Sequence, residues 1–139
     1  MDFPLSAEGL IPQKKPIVLV DRLLESDEEK SVSDFLIRND GVFVEGGRIV
    51  SAGLMENIAQ TCALRIGYVN RGQQVRIGVV GAVKNFVVCR FPAVGETLTT
   101  TVKEVLYVEP ALAVSAETRV GNEVVATCEM KVFLTDHEG

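Results

Sequence analysis

Ala52 to Gly67 reads AGLMENIAQTCALRIG, preceded by Ser51 as a side-chain N-cap and closed by Gly67, and it is the one convincing helix of the chain. Leu54, Met55, Ile58, Ala59, Cys62, Ala63 and Ile66 cover far more than one narrow stripe of it. A helix so apolar must be enclosed by other elements. Upstream, the apolar run Ile17–Leu24 is consistent with a first strand or the approach to one, and the loosely alternating Ser31–Arg38 reads as a second strand, with turn residues at Asn39-Asp40-Gly41 and Glu45-Gly46-Gly47. Downstream everything reads as sheet: Arg76–Arg90, Thr97–Val108 ending at Glu109-Pro110, then Ala111–Val120 and Val124–Leu134 around Gly121-Asn122. In the last of these, Val124, Ala126, Cys128, Met130, Val132 and Leu134 share one face. The expected class is α+β, a long antiparallel sheet wrapped around one central helix, because both elements then bury their apolar faces.

Composition narrows the function. The chain has 139 residues, 47% hydrophobic and 24% charged, a size that predicts one domain over residues 1–139. Nineteen acidic against 14 basic side chains give a net charge of −5, which argues against nucleic acid as a partner. No apolar run is long enough for a membrane span and the amino end does not read as a signal peptide, so the expected location is cytoplasmic. Cys62, Cys89 and Cys128 are widely spaced in apolar surroundings and read as reduced core thiols. Neither zinc-ligand spacing nor a phosphate-binding Gly-rich loop is present, so no metal and no cofactor is expected. The only histidine is His137, two residues from the carboxyl end, which handicaps any mechanism needing an imidazole in a central pocket.

The polar residues of the helix carry the chemistry. Glu56 and Gln60 stand four apart and share a face, while Asn57 and Gln60 are neighbours at three. A carboxyl on an enclosed apolar helix is costly unless it is paired or functional, and burial favours its protonated form, which suits proton transfer. The bland alternatives are an ion pair between Glu56 and Arg65, Arg22 or Lys84, or a solvent-facing Glu56. Asn57 and Thr61 lean towards structure, satisfying a loop backbone or a partner subunit.

Two segments then resemble the bacterial 3-hydroxyacyl-(acyl-carrier-protein) dehydratases of the hotdog fold. Leu10-Ile11-Pro12-Gln13-Lys14-Lys15-Pro16-Ile17-Val18-Leu19-Val20-Asp21-Arg22 resembles the family's Leu-Pro-His, Pro, apolar run, Val-Asp-Arg pattern. Leu54-Met55-Glu56-Asn57-Ile58-Ala59-Gln60 resembles its central-helix signature. Gly81 to Thr97, with Phe86, Arg90-Phe91-Pro92 and Gly95-Glu96-Thr97-Leu98, is similar to the family's third strand and the turn after it. The branch tied to aryl polyene lipids is the most similar. The resemblance implies a homodimer with acyl tunnels at the subunit interface, where a His of one subunit and a helix carboxylate of the other remove water from a 3-hydroxyacyl thioester. It makes Glu56 the catalytic carboxylate and Gln60 the residue that orients it, and it places substrate contacts at Val42, Phe43, Gly53, Asn57, Gly81 and Phe86.

The chain departs from the pattern at both histidines. Val42, within Gly41-Val42-Phe43, stands where the family has its catalytic His, and Gln13 replaces the second. His137 reaches the site only if the tail folds back across a dimer. Three functions stay open: a dehydratase-like protein of lipid biosynthesis, weakened or completed by a His from a different hotdog partner; a hotdog thioesterase in which Glu56 activates water; or a non-catalytic acyl-thioester binder and dimer partner. The thioester is carried by acyl carrier protein or coenzyme A, either of which calls for a basic patch. Arg65, Arg71, Arg76, Lys84 and Arg90 are candidates for it, with Lys14-Lys15 as another.

Overall fold

The computed structural model describes residues 3–11, 17–74 and 76–136. Gln13, Lys14, Lys15 and His137 lie outside them. In chain order the elements are β1 (Leu5–Ser6), β2 (Arg22–Ser26), β3 (Lys30–Leu36), β4 (Val44–Glu45), β5 (Arg48–Ile49), α1 (Ser51–Val69), β6 (Arg76–Val88), β7 (Thr97–Val108), β8 (Ala111–Val120) and β9 (Glu123–Asp136). Seven strands form one antiparallel sheet in the order β1-β2-β3-β7-β8-β9-β6, and β4-β5 make a separate small hairpin. That hairpin turns on Gly46 and Gly47, whose φ values of 58° and 77° are the pair a two-residue turn of matching twist needs. Helix α1 lies in the curve of the sheet, as its apolar girth requires.

The core confirms this enclosure. Ile58, Cys62 and Ile66 pack on Val102, Val114, Cys128, Met130 and Val132. Leu54 packs with Leu19, Phe35, Ile37, Ile49 and Leu98. Leu64 and Tyr68 pack with Ala7, Ile11, Val20 and Leu23. Three sides of one helix are therefore buried, and Leu54, Ile58 and Leu64 each contribute roughly 1.5–3 kcal/mol by leaving water.

Both helix ends differ from expectation. The N-cap is Val50, with no side-chain cap, and Ser51 is already helical. Gly67 lies inside the helix, which runs on to Val69; a Cβ there would collide with the Leu10 carbonyl. Its smallness serves a close approach of the amino-terminal segment, while Asn70 closes the helix by bonding the Ile66 carbonyl through both its backbone N–H (3.1 Å) and side-chain amide (2.8 Å). Of the two readings of the run from Ile17, the structure has the approach to a strand: pairing begins at Arg22 and residues 17–21 form an extended strap. Cys62 and Cys128 are buried, and burial pushes their thiols up to about 12 and about 11, but Cys89 is exposed and is not a core thiol.

Strand β6 is the outer strand on its side of the sheet. It pairs with β9 alone and carries bulges at Val80/Ala82 and Lys84/Val87, with Asn85 at φ 53° in the second. The bulges shift its alternation. Phe86 faces inward, touching two of the core clusters, whereas a Cβ at Gly81 would strike the Phe133 ring on the outer face. No helix of the described residues is long and apolar enough to cross a membrane.

Candidate functional site

Glu56 sits half-buried one turn inside α1. Its Oε1 accepts a hydrogen bond from the Gln60 Nε2 amide at 3.1 Å. The ion-pair alternatives are not realised: Arg65 bonds Glu104 at 2.5 Å and Arg22 bonds Asp34 at 2.6 Å. Among the described residues no cation pairs with Glu56, and Gln60 is its one side-chain hydrogen-bond partner.

Gln60 does more than orient Glu56. Fully buried, it accepts the Leu19 N–H on Oε1 (2.6 Å) and donates from Nε2 to the Ile17 carbonyl (2.7 Å). Asn57, also fully buried, donates from Nδ2 to the Leu19 carbonyl (2.6 Å) and accepts the Thr100 hydroxyl on Oδ1 (2.6 Å). Two side-chain amides thus satisfy the strap's backbone as a neighbouring strand would. The network reaches into the sheet through Thr100–Thr118 (2.8 Å). On its other side Thr61 donates to the Asn57 carbonyl (2.7 Å) and bonds Ser33 (2.8 Å). The cost of burying these polar groups is offset because every one has a partner. Nothing in the sequence signals Thr100 or Thr118, which read simply as strand residues.

The expected substrate contacts separate into groups. Asn57 has no exposed surface and both ends of its amide are occupied by protein, so it is a structural residue in this chain and not the substrate contact expected. Gly81 lies on the outer face of the sheet, away from α1, which corrects its assignment; Phe86 is part of the core between sheet and helix. The Gly53 N–H is bonded to the Val50 carbonyl at 2.9 Å, so Gly53 offers space rather than a donor. A Cβ there would lie 2.7 Å from Phe43 Cβ and from Ile49 Cγ1. Val42 is 52% exposed and points to solvent. Gly41 and Phe43 line a cleft of about 900 Å³, bounded by residues 6–11, the strap from Val18 to Asp21, Phe35, and the 38–44 segment with Ile49.

The basic patch does not form from its expected members. Arg65 is buried, its guanidinium shared among Glu104, Ser31 and the carbonyls of Asp27 and Glu28. Arg76 is paired with Glu109 and Asp136, and Arg90 with Glu96 and Glu123. Arg71 stacks on the Tyr68 ring at 3.8 Å, and Lys84 stands across from Glu129. Arg65, Arg76 and Arg90 are therefore engaged by carboxylates of the fold, whereas Arg71 and Lys84 are exposed and form no ion pair among the described residues. Among the described residues no cluster of three or more His, Cys, Asp or Glu side chains is disposed to hold a metal ion.

A single helix in a long antiparallel sheet, with a helix carboxyl braced by an amide four residues on, defines a hotdog-fold protein of the dehydratase-like group. Residues 5–138 match the ApeP-like family, described as ApeP dehydratase, and the chain belongs to that family. Solved structures agree on the fold. The dehydratase heterocomplex ApeI:P from Xenorhabdus doucetiae superposes with a TM-score of 0.85 at 15% identity, covering 98% of this chain and 93% of that one. A hypothetical thioesterase with coenzyme A from Streptococcus pneumoniae TIGR4 gives 0.69 at 12% identity, covering 84% and 87%. The E. coli PaaI protein of the phenylacetic acid degradation operon gives 0.67 at 17%, covering 80% of each. No curated protein matches the chain.

Proposed function

We propose that the chain is the carboxyl-bearing subunit, lacking the family's catalytic histidine, of a dehydratase acting on 3-hydroxyacyl thioesters in lipid biosynthesis, completed by a second hotdog subunit that supplies the imidazole. The observation that carries this reading is Glu56 itself. It is braced by Gln60 on a largely apolar helix, with no cation paired to it among the described residues, in a chain whose position for the family His is Val42. The solved ApeI:P dehydratase is a complex of two different subunits, which supports the same division here. The unpaired edge of β6 and the exposed Val42 are where the second subunit would meet this one, because a free strand edge is normally covered or paired.

In this arrangement the partner's imidazole removes the proton alpha to the thioester carbonyl. The electron pair forms the new C2–C3 double bond, and the C3–O bond breaks as the Glu56 carboxyl hands its proton to the departing hydroxyl, which leaves as water. Gln60 holds one carboxyl oxygen so that the other faces the substrate.

The test is hydration of a but-2-enoyl thioester by the chain alone, by a histidine-bearing hotdog subunit alone, and by the two co-expressed. The mixture is expected to be active and Glu56→Gln in it to lose about 10²–10⁴-fold, the range of general acid–base catalysis. Thiol release that depends on Glu56 would assign a thioesterase instead. Acyl-thioester binding with neither activity would assign a binder. Full hydration by the Glu56→Gln complex overturns the reading.

A further inference from the structure

The outer face of the sheet carries an apolar row at one end that the chemistry at Glu56 does not use. Residues directly opposite each other on paired strands share a face. Val79 pairs with Phe133, Phe133 with Ala111 and Ala111 with Val108, so these four stand in one line across β6, β9, β8 and β7. Leu106 and Ala113, paired with each other, lie next to them on the same face. The alternate residues Leu112, Met130 and Val132 are the ones that pack on the helix, so the row faces away from α1. Leu106 is 61% and Val108 63% exposed, and Val79 and Phe133 are also open to solvent. Together they leave on the order of 400 Å² of contiguous apolar surface, a size at which such patches are commonly functional. Polar side chains resume beyond it, with Lys131 beside Ala113 and then Ser115 against Glu129.

A subunit paired along β6 does not cover this row. Its strand would continue the sheet in plane, and Val108 on β7 is three strand spacings from that edge, about 14 Å. The relief of the row fits a second copy of itself. Phe133 forms a ridge that leans towards β6, where Gly81 leaves room for its ring. Ala111 and Ala113 make a trough along β8, walled on the far side by Leu106 and Val108. A two-fold axis parallel to the strands, between β8 and β9, lays each Phe133 over the other copy's Ala111 and each Val108 over the other copy's Val79. Both contacts are made twice, as an isologous interface requires, and two such faces pack at the ordinary sheet separation of about 10 Å. Interfaces are roughly 57–65% apolar, so an apolar part of about 400 Å² belongs to a contact of about 700 Å² a side, close to the ~800 Å² of a stable one. We infer that this row joins two copies of this chain back to back. On the reading above, the pair of subunits then doubles into an assembly of four, with this chain at the centre and the histidine-bearing subunits outside. The contact itself is independent of which subunit supplies the base.

The test weighs the co-expressed complex, and this chain alone, by native mass spectrometry and sedimentation at micromolar concentration. In both preparations Val108→Lys is expected to halve the mass and weaken association about a hundredfold, because it sets an unpaired charge against the other copy's Val79. Hydration by the complex should stay unchanged, since the row lies on the face away from Glu56. Adding Val79→Glu to the same chain gives that lysine a carboxylate across the axis and is expected to restore the mass. Within one chain the two positions are too far apart to pair. A wild-type complex of only two chains overturns the inference. So does a mass that Val108→Lys leaves unchanged, the result if the chain's own carboxyl-terminal residues cover the row. A halved mass that Val79→Glu does not restore assigns the row to a different protein and overturns it too. If the chain never joins a histidine-bearing subunit, the dehydratase reading fails, and the masses of the chain alone still decide the contact.

Discussion

Replacing Gln60 by leucine separates what this amide does from the room it fills. Leucine has nearly the same volume, so the cavity term stays small. The loss falls on hydrogen bonds. Leu19 is 3% exposed, so its N–H, deprived of Gln60 Oε1, has no water to turn to, and an orphaned buried donor costs about 1–3 kcal/mol. The Ile17 carbonyl belongs to a residue that is 50% exposed and regains a water partner at little cost. Adding up to about 1.5 kcal/mol for imperfect packing gives a loss of about 1–4.5 kcal/mol. For a chain of this size that corresponds to a fall in Tm of about 3–15 °C. Urea unfolding should show a lower midpoint with an unchanged slope, and hydrogen exchange should show lost protection at the Leu19 amide. An unaltered midpoint, or a Leu19 amide as protected as in the wild type, would refute the idea that side-chain amides stand in for a strand beside the strap.

Gly67→Ala sets two effects of opposite sign against each other. Helix propensity alone favours alanine by about 1 kcal/mol, but the Leu10 carbonyl occupies the Cβ position and the segment carrying Ala7 and Ile11 must shift, so urea unfolding should show a net loss of about 1–3 kcal/mol. A gain would mean that the amino-terminal segment does not pack there. Iodoacetamide near neutral pH should label Cys89 in the folded chain and all three cysteines only after denaturation, because burial holds the Cys62 and Cys128 thiols at about 12 and about 11. Arg90 holds the Glu96 and Glu123 carboxyls below the ordinary carboxylate range, chiefly by hydrogen bonding. Lowered carboxyls stabilise the fold above that range and lose their effect as pH falls through their folded values. Arg90→Gln should therefore flatten the fall in stability from about pH 5 to pH 3, and an equally steep fall in both proteins would contradict it.

What was legible in the sequence was local chemistry. β7 and β8 end where Pro110 and the Gly121-Asn122 turn say they should, and the four-residue spacing of Glu56 and Gln60 becomes a 3.1 Å contact. What stayed hidden depended on distant partners. Gly67 reads as a helix stop, yet its smallness answers to Leu10, 57 positions earlier. The apolar run leaves a strand and the approach to one both open; that the strap's backbone is satisfied by side chains 38 to 43 residues away is not a periodic signal. Gly81 was named a substrate contact only through the resemblance, and the bulge at Val80/Ala82 that sets its direction in β6 leaves no periodic mark in the sequence. The arginines looked like a basic patch because a charge in sequence carries no record of the carboxylate it will meet.

The chain's two unfinished features have one resolution on the proposed reading. Among the described residues Glu56 has neither a cation nor a general base beside it, and β6 has a neighbour, β9, on one side only. A second hotdog subunit laid along β6 supplies both, since pairing the edge brings another chain's pre-helix segment towards this chain's helix. The division of labour is then asymmetric. The site built on Glu56 gains the partner's imidazole, while the site built on the partner's helix faces Val42, which transfers no proton. Such a pair has one working centre, so an acyl-thioester inactivator that alkylates the imidazole should abolish activity at one equivalent per pair of subunits. Activity that survives complete alkylation of that imidazole would mean that the second centre also turns over and that Val42 is no obstacle.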